Sequence, residues 1–173
     1  MRDECKDISS CSSLIPHPSS FMIIRSILLP TDFSRCAESA LPYAADLARQ
    51  MKARLLCLHV VETMMPPVGY AAVAEPVPAV DLGGQLEESA TRELPKLGAR
   101  EECAGLDVEE VVAHGEAASE IVRVARERDI DLIVISSHGR TGWGRMLFGS
   151  TAESVVRHAH CPVLVVKPKG SDE

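Results

Sequence analysis

The chain of 173 residues contains no asparagine, so it offers no N-glycosylation acceptor. Aromatic residues make up only 3%, and a core must be built from Ala, Val, Leu and Ile instead. No run of roughly 18 apolar residues occurs, which excludes a membrane-spanning helix. The six cysteines, Cys5, Cys11, Cys36, Cys57, Cys103 and Cys161, form no C-x-x-C pair, so redox and zinc-knuckle spacings are missing. They read as free thiols of a reducing compartment, which points to the cytoplasm. Basic charge is short as well: 18 Lys and Arg stand against 25 Asp and Glu, a formal net charge of −7. No basic stripe compensates, which argues against a nucleic-acid partner.

What is present fits one globular domain. The length suits a single substantial core, and 46% of residues are hydrophobic. Residues 1–21 are set apart: Ser-rich, with Pro16 and Pro18, and without periodicity. They lack the apolar stretch of a signal peptide and are expected to be a disordered extension, with Met22 as an alternative start. The domain is then expected at 22–169, followed by a tail at 170–173.

From Arg25 onward, apolar runs alternate with helical spacing. Ile27-Leu28-Leu29, stopped by Pro30, reads as a buried strand. Ala37, Ala40, Leu41, Ala44, Ala45, Leu47 and Ala48 read as one helix, and Leu55 to Val61 as a second strand. Four prolines between Met64 and Val80 make that stretch a loop. Leu82 to Leu97 reads as a helix bent or ended by Pro95. A third strand is expected at Asp107 to Ala113 and a helix at Glu116 to Asp129, with Ile121, Val122, Val124 and Ala125 inward. Ile130 to Ile135 reads as a fourth strand. Gly149 opens a last helix with Ala152, Val155, Val156 and Ala159 on one face, and Pro162 to Val166 is the fifth strand.

Strands alternating with helices imply an α/β fold with a doubly wound, Rossmann-like, five-stranded parallel sheet. Right-handed crossovers favour the order 3-2-1-4-5. A ligand in such a sheet sits beyond the C-terminal ends of the strands, at the switch point between strands 1 and 4. That directs attention to Pro30-Thr31-Asp32 and to the segment from Ser136 to Thr151.

This second segment carries glycines at 139, 142, 144 and 149. Glycine lets backbone N–H groups converge on a phosphate, and Gly149-Ser150-Thr151 begins a helix whose dipole favours an anion. The Walker A lysine is missing after Gly149, and the glycine spacing does not make G-x-G-x-x-G. Two readings stay open on these residues alone. One is a phosphate cradle. The other is a glycine-rich connector to a capped helix, since Ser150-x-x-Glu153 has the form of a capping box.

The chain resembles the universal stress protein family over 22–169. Ile27-Leu28-Leu29-Pro30-Thr31-Asp32-Phe33-Ser34 is similar to the family's first strand and turn, His59-Val60 to its second-strand end, and Cys161 to Val166 to its last strand. The ATP-binding branch has the pattern G-x2-G-x9-G-[ST]; here it reads Ser136-x2-Gly139-x9-Gly149-Ser150. Serine replaces the first glycine at the end of strand 4, where it fits if its φ is negative. The resemblance implies that Asp32 and the backbone of Val60 hold adenosine, with Pro30 and Thr31 shaping that wall and Gly115 lining the ribose side. It implies that Gly139, Gly149, Ser150 and Thr151 cradle the phosphates, with charge from Arg140 and a bridging Mg²⁺. A homodimer through the last strand is implied too.

Three functions follow: an ATP-dependent regulator of the stress response acting on an unknown protein partner, a slow ATPase or nucleotide transferase, and a family member that binds no nucleotide. His138 is the one titratable group beside the phosphate loop. Asp32 alone also fits a carboxylate that merely opposes a helix dipole. His158 and His160 have metal-ligand chemistry, but near a helix end they point in different directions.

Overall fold

The computed structural model describes residues 23–62, 82–137 and 149–168. Five parallel strands, β1 (Ser26–Thr31), β2 (Arg54–Val61), β3 (Val108–His114), β4 (Leu132–Ser136) and β5 (Val163–Val166), lie in the order β3-β2-β1-β4-β5. This is the doubly wound α/β sheet expected from the alternation of patterns. The helices are α1 (Arg35–Glu38), α2 (Leu41–Met51), α3 (Leu82–Gly98), α4 (Ala117–Glu127) and α5 (Ser150–His158), with a 3-10 turn at Glu101–Cys103. The expected extension at 1–21, the tail at 170–173 and the Pro-rich stretch at 64–80 lie outside the described residues.

The central strands are continuously apolar because helices cover both faces. On one face Ile27, Leu29, Leu55, Cys57 and Val134 meet Ala44 and Ala48 of α2 and Leu94 and Leu97 of α3. On the other, Leu28, Leu56, Leu58, Ile133 and Ile135 meet Ile121, Val124 and Ala125 of α4 and Ala152 and Val155 of α5. The small alanines of α2 let the helix lie close on the sheet, so little aromatic bulk is needed: Ala44, Ala45 and Ala48 are completely buried. Cys57 sits in this core, and burial, ahead of the nearby Cys103 and Glu110 charges, pushes its thiol up to about 12. The four described cysteines are all free.

Several local expectations are corrected. The first strand does not stop at Pro30; β1 runs on to Thr31. The helix that follows is broken in two. Ser34 caps α1 through its side chain, and the Ser39 hydroxyl donates back to the Cys36 carbonyl at 2.6 Å. Pro42 then sits in the first turn of α2, where a missing N–H costs nothing. Pro95 does not end α3, which continues to Gly98. Val156 faces outward, 51% exposed, because one helix face has room only for Ala152 and Val155 against the sheet.

The N-terminal end of the sheet is tied by Asp131. Its carboxylate accepts from the Arg25 N–H (2.8 Å), the Ser26 N–H (3.1 Å) and the Ser26 hydroxyl (3.0 Å), so it joins the starts of β1 and β4. Burial pulls this carboxyl's pKa up, but those donors outweigh it and hold it below the usual aspartate value. A lowered folded pKa contributes stability above the unfolded pKa, and that contribution is lost as pH falls through the folded one. Asp131→Asn is therefore expected to destabilise the protein at neutral pH, and the difference from wild type to shrink as the pH falls through the carboxylate range. Denaturant melts across that range check this; a difference independent of pH refutes it.

Candidate functional site

The strand register opens the sheet at one place. β1 stays paired with β2 up to Thr31↔His59, and β4 with β5 up to Ser136↔Val166. Between β1 and β4, however, the register covers only Ile27↔Leu132 and Leu28↔Ile133. Pro30 lies just past that point. The Ser26 carbonyl accepts from Asp131 on the β4 side, while the Arg25 carbonyl accepts from Arg54 on the β2 side. Alternation along the strand then directs the nitrogen of Pro30 toward β4. A proline there has no N–H to offer, and none is needed where the strands part.

Side-chain alternation sorts the candidates at this edge. Pro30 follows Leu28, and Val60 packs against the core beneath α4 and α5. Thr31 and His59 follow Ile27, Leu29, Leu55 and Cys57 onto the opposite face. The Thr31 side chain is buried and accepts the Phe33 N–H at 3.0 Å. It supports the turn from the face opposite Pro30 and Val60. Asp32 Oδ1 accepts the Ser34 N–H at 2.9 Å, which orients the carboxylate at the end of β1.

Gly115 follows β3 at the same edge. Its N–H donates to the Val61 carbonyl at 3.1 Å, and its φ is 142°. A Cβ there would sit 3.0 Å from Cγ of Glu120. The neighbouring Glu116 caps α4, its carboxylate accepting from the N–H groups of Ser119 (2.7 Å) and Ala118 (3.2 Å). Hydrogen bonding to the Ser119 hydroxyl and amide, and then the Ala118 amide, hold this carboxyl below its ordinary value against a small burial effect.

At the end of β4, Ser136 is strand and buried. Among the described residues other than glycine, positive φ occurs at Phe33, Lys52 and Asp129, and not at Ser136. The condition for serine at the position of a glycine is therefore met. The Ser137 N–H donates to the Val166 carbonyl at 2.8 Å, and its own carbonyl accepts the Gly149 N–H at 2.7 Å. Both ends of the glycine-rich segment are thus joined at Ser137. Gly139, Arg140 and His138 lie outside the described residues.

Gly149 is the N-cap of α5, with φ −69° and ψ 155°. Ser150 is therefore the first helical residue and not the cap, which corrects the capping box expected from Ser150-x-x-Glu153. The Glu153 carboxylate pairs instead with Arg157 at 2.8 Å. Among the described residues no side chain caps α5. The α4 terminus already carries a carboxylate of its own chain, while the α5 amides of Ser150 and Thr151 meet no capping side chain among the described residues. That leaves an anion-favouring helix terminus at the C-terminal edge of the sheet, beside the end of β4.

Sequence reasoning located Pro30, Thr31, Asp32, Val60, Gly115, Gly149, Ser150 and Thr151, and the structure places all of them at this edge. It missed the Glu116 cap, for which a glutamate just before an apolar helical stripe is the available signal. It also missed the stacking of His59 on Phe33. No sequence signal marks that contact, because it depends on strand register. Among the described residues no group of three or more His, Cys, Asp or Glu could hold a metal. No described helix is long and apolar enough to cross a membrane. An open groove of about 530 Å³ runs along the outer surface of α4 and α5, past Val122, Arg123, Arg126 and His158, and includes none of these strand ends.

Comparison with known proteins gives a consistent result. The model of the universal stress protein family matches residues 24–167. Universal stress protein MJ0531 of Methanocaldococcus jannaschii is 35% identical over 145 residues, covering 84% of this chain and 83% of that protein. The solved structure of protein MJ0577 of the same organism superposes with a TM-score of 0.72 at 30% identity, over 86% of this chain and 99% of that one. A universal stress protein in complex with cAMP gives a TM-score of 0.62 at 26% identity, over 83% and 97%. One from Archaeoglobus fulgidus in complex with dAMP gives 0.57 at 25% identity, over 84% and 99%.

Among the described glycines at this edge, Gly115 has a backbone that requires glycine. Gly115→Ala is expected to lower stability by about 1–3 kcal/mol, the scale of a side chain forced into a sparsely populated conformation. Urea denaturation measures it. A variant as stable as wild type overturns the requirement.

Proposed function

Because the chain belongs to the universal stress protein family, we propose that it binds ATP where β1 and β4 part and serves as a regulatory protein of the stress response. One observation carries this reading. Among the described residues no side chain caps the N-terminus of α5, and it is joined through Gly149 and Ser137 to the end of β4, at the topological switch point. The nucleotide complexes of two structural neighbours, with cAMP and with dAMP, support an adenine nucleotide.

In this reading Asp32 and the Val60 backbone take the adenosine, Pro30 and Thr31 shape the wall, and Gly115 lies on the ribose side. Gly149, Ser150 and Thr151 offer N–H groups to the phosphates, joined by Gly139 and by charge from Arg140. Mg²⁺ would be held chiefly by the phosphate oxygens and would offset their charge. The site suits a phosphate group because its donors are amides at a helix terminus.

The reading extends to assembly. Both outer strands are edges, and they differ in chemistry. β3 carries Glu109, which pairs with Arg54 and Arg128, and Glu110. β5 carries Val163, Leu164 and Val165, with Leu164 38% exposed. An uncharged apolar edge favours a homodimer through β5. Free thiols agree with a cytoplasmic location.

Gly149 has a φ and ψ that any residue adopts. Gly149→Val is thus expected to keep the fold while its side chain crowds the phosphates and removes ATP binding. Calorimetry showing wild-type affinity for ATP in this variant refutes the site.

Turnover is expected to be very slow. Phosphoryl transfer needs a group that orients water and fixed positive charge at the phosphoryl group. The Walker lysine is missing, and Asp32 is oriented by the Ser34 amide at the end of β1. Phosphate release is expected below about 0.01 s⁻¹, against a usual enzyme range of roughly 1–1000 s⁻¹. Release at about 1 s⁻¹ that disappears in Gly149→Val replaces the regulator by an ATPase.

A further inference from the structure

The turn after β1 holds a conformational cost that nothing in the nucleotide reading explains. Phe33 has φ 59°, a left-handed backbone that a bulky side chain adopts only when its surroundings enforce it. Glycine would be the ordinary residue there. Two contacts on the face opposite Pro30 and Val60 converge on this turn, and both come from His59. Its Nδ1 lies 2.8 Å from the Thr31 carbonyl oxygen. A carbonyl only accepts, so the proton is on Nδ1 and His59 donates. Its ring stacks on Phe33, with centroids 4.5 Å apart and planes at 27°. Phe33 also packs on the α2–α3 core.

From these contacts we infer that His59 is a positioning residue. Its hydrogen bond to the Thr31 carbonyl and its stacking on Phe33 clamp the Thr31–Ser34 turn in its left-handed form, and the clamp sets the direction of the Asp32 carboxylate at the parting of β1 and β4. The chain of contacts is short. His59 holds the Thr31 carbonyl and the Phe33 ring. The Phe33 N–H is held by Thr31 Oγ1, and Asp32 Oδ1 takes the N–H of Ser34. Ser34 in turn caps α1 through Ala37 at 3.1 Å. A change in the backbone at Phe33 therefore swings Asp32 and the start of α1 together. The strand register makes the clamp possible, since Thr31 and His59 are partners across β1 and β2.

The part of this inference that concerns ligand affinity rests on the nucleotide reading; the part that concerns the turn does not. The test uses the full chain and two readouts, amide hydrogen exchange and calorimetric binding of ATP. In His59→Ala, exchange at Phe33 and Ser34 is expected to rise about tenfold or more, while the deep β2 amides of Leu56 and Leu58 keep their protection. The Kd for ATP is expected to rise about tenfold. In Phe33→Gly, glycine tolerates the positive φ unaided, so adding His59→Ala on that background is expected to change affinity much less than it does in wild type. His59→Phe keeps a ring and removes the donor. It is expected to fall between wild type and His59→Ala, and it carries the comparison if the alanine variant does not fold.

Unchanged exchange at Phe33 and Ser34 in the His59 variants overturns the clamp. A uniform rise along β2 also overturns it, since that marks a packing role. Local loosening with an unchanged Kd removes the link to Asp32. If wild-type protein binds no ATP, the nucleotide reading fails, and the exchange measurement still decides the clamp.

Discussion

The separation of β1 from β4 after Leu28↔Ile133 is the constraint on which the candidate site depends. Below it the two strands are fastened, with the Asp131 carboxylate taking both backbone amides at the start of β1. Above it, Pro30 directs a nitrogen without a proton toward β4, and no hydrogen bond is forfeited. The strands are thus shut at one end and free at the other. β4 instead leans on β5, where the Val166 carbonyl holds Ser137, and Ser137 holds Gly149 at the head of α5. Polar backbone groups therefore collect at one edge of an otherwise apolar sheet.

The N-termini of α4 and α5 both reach this edge, and the chain treats them differently. Glu116 fills the terminus of α4 with a carboxylate whose lowered pKa keeps it charged. Gly149 brings no side chain to the terminus of α5. The contrast separates a helix start that serves stability from one that remains able to meet an anion. Cys57 belongs with the structural parts: it is completely buried, and its thiol, pushed up to about 12, stays protonated at neutral pH.

Much of the fold was legible because the alternation of apolar runs with helical spacing is strong. Strands buried on both faces need no period of two: Ile27 and Leu29 enter one core and Leu28 between them enters the other. Boundaries were less legible. Pro30 read as a stop because its missing N–H forbids a central ladder, and only the local loss of the β4 partner removes that conflict. Ser150-x-x-Glu153 read as a capping box because the residue types match. The cap falls one residue earlier, at Gly149, which puts Glu153 one residue past the position that reaches back in a capping box. Val156 read as inward because a helix face is wider on paper than the groove that receives it.

The amino-acid sequence by itself determined the α/β class, the strand order and the edge of the sheet where Pro30, Asp32, Gly115 and Gly149 gather. Periodicity and connection rules depend on neighbours along the chain, and those are written in it. The tertiary structure alone decided which side of the sheet each of those residues serves. Thr31 and Pro30 are adjacent in sequence, yet one turns its side chain to α2 and α3 and the other to α4 and α5. His59 meets Phe33 only because β2 pairs with β1 in the register Thr31↔His59. A shift of one residue would send every side chain to the opposite face, and that register is settled by packing across the whole sheet.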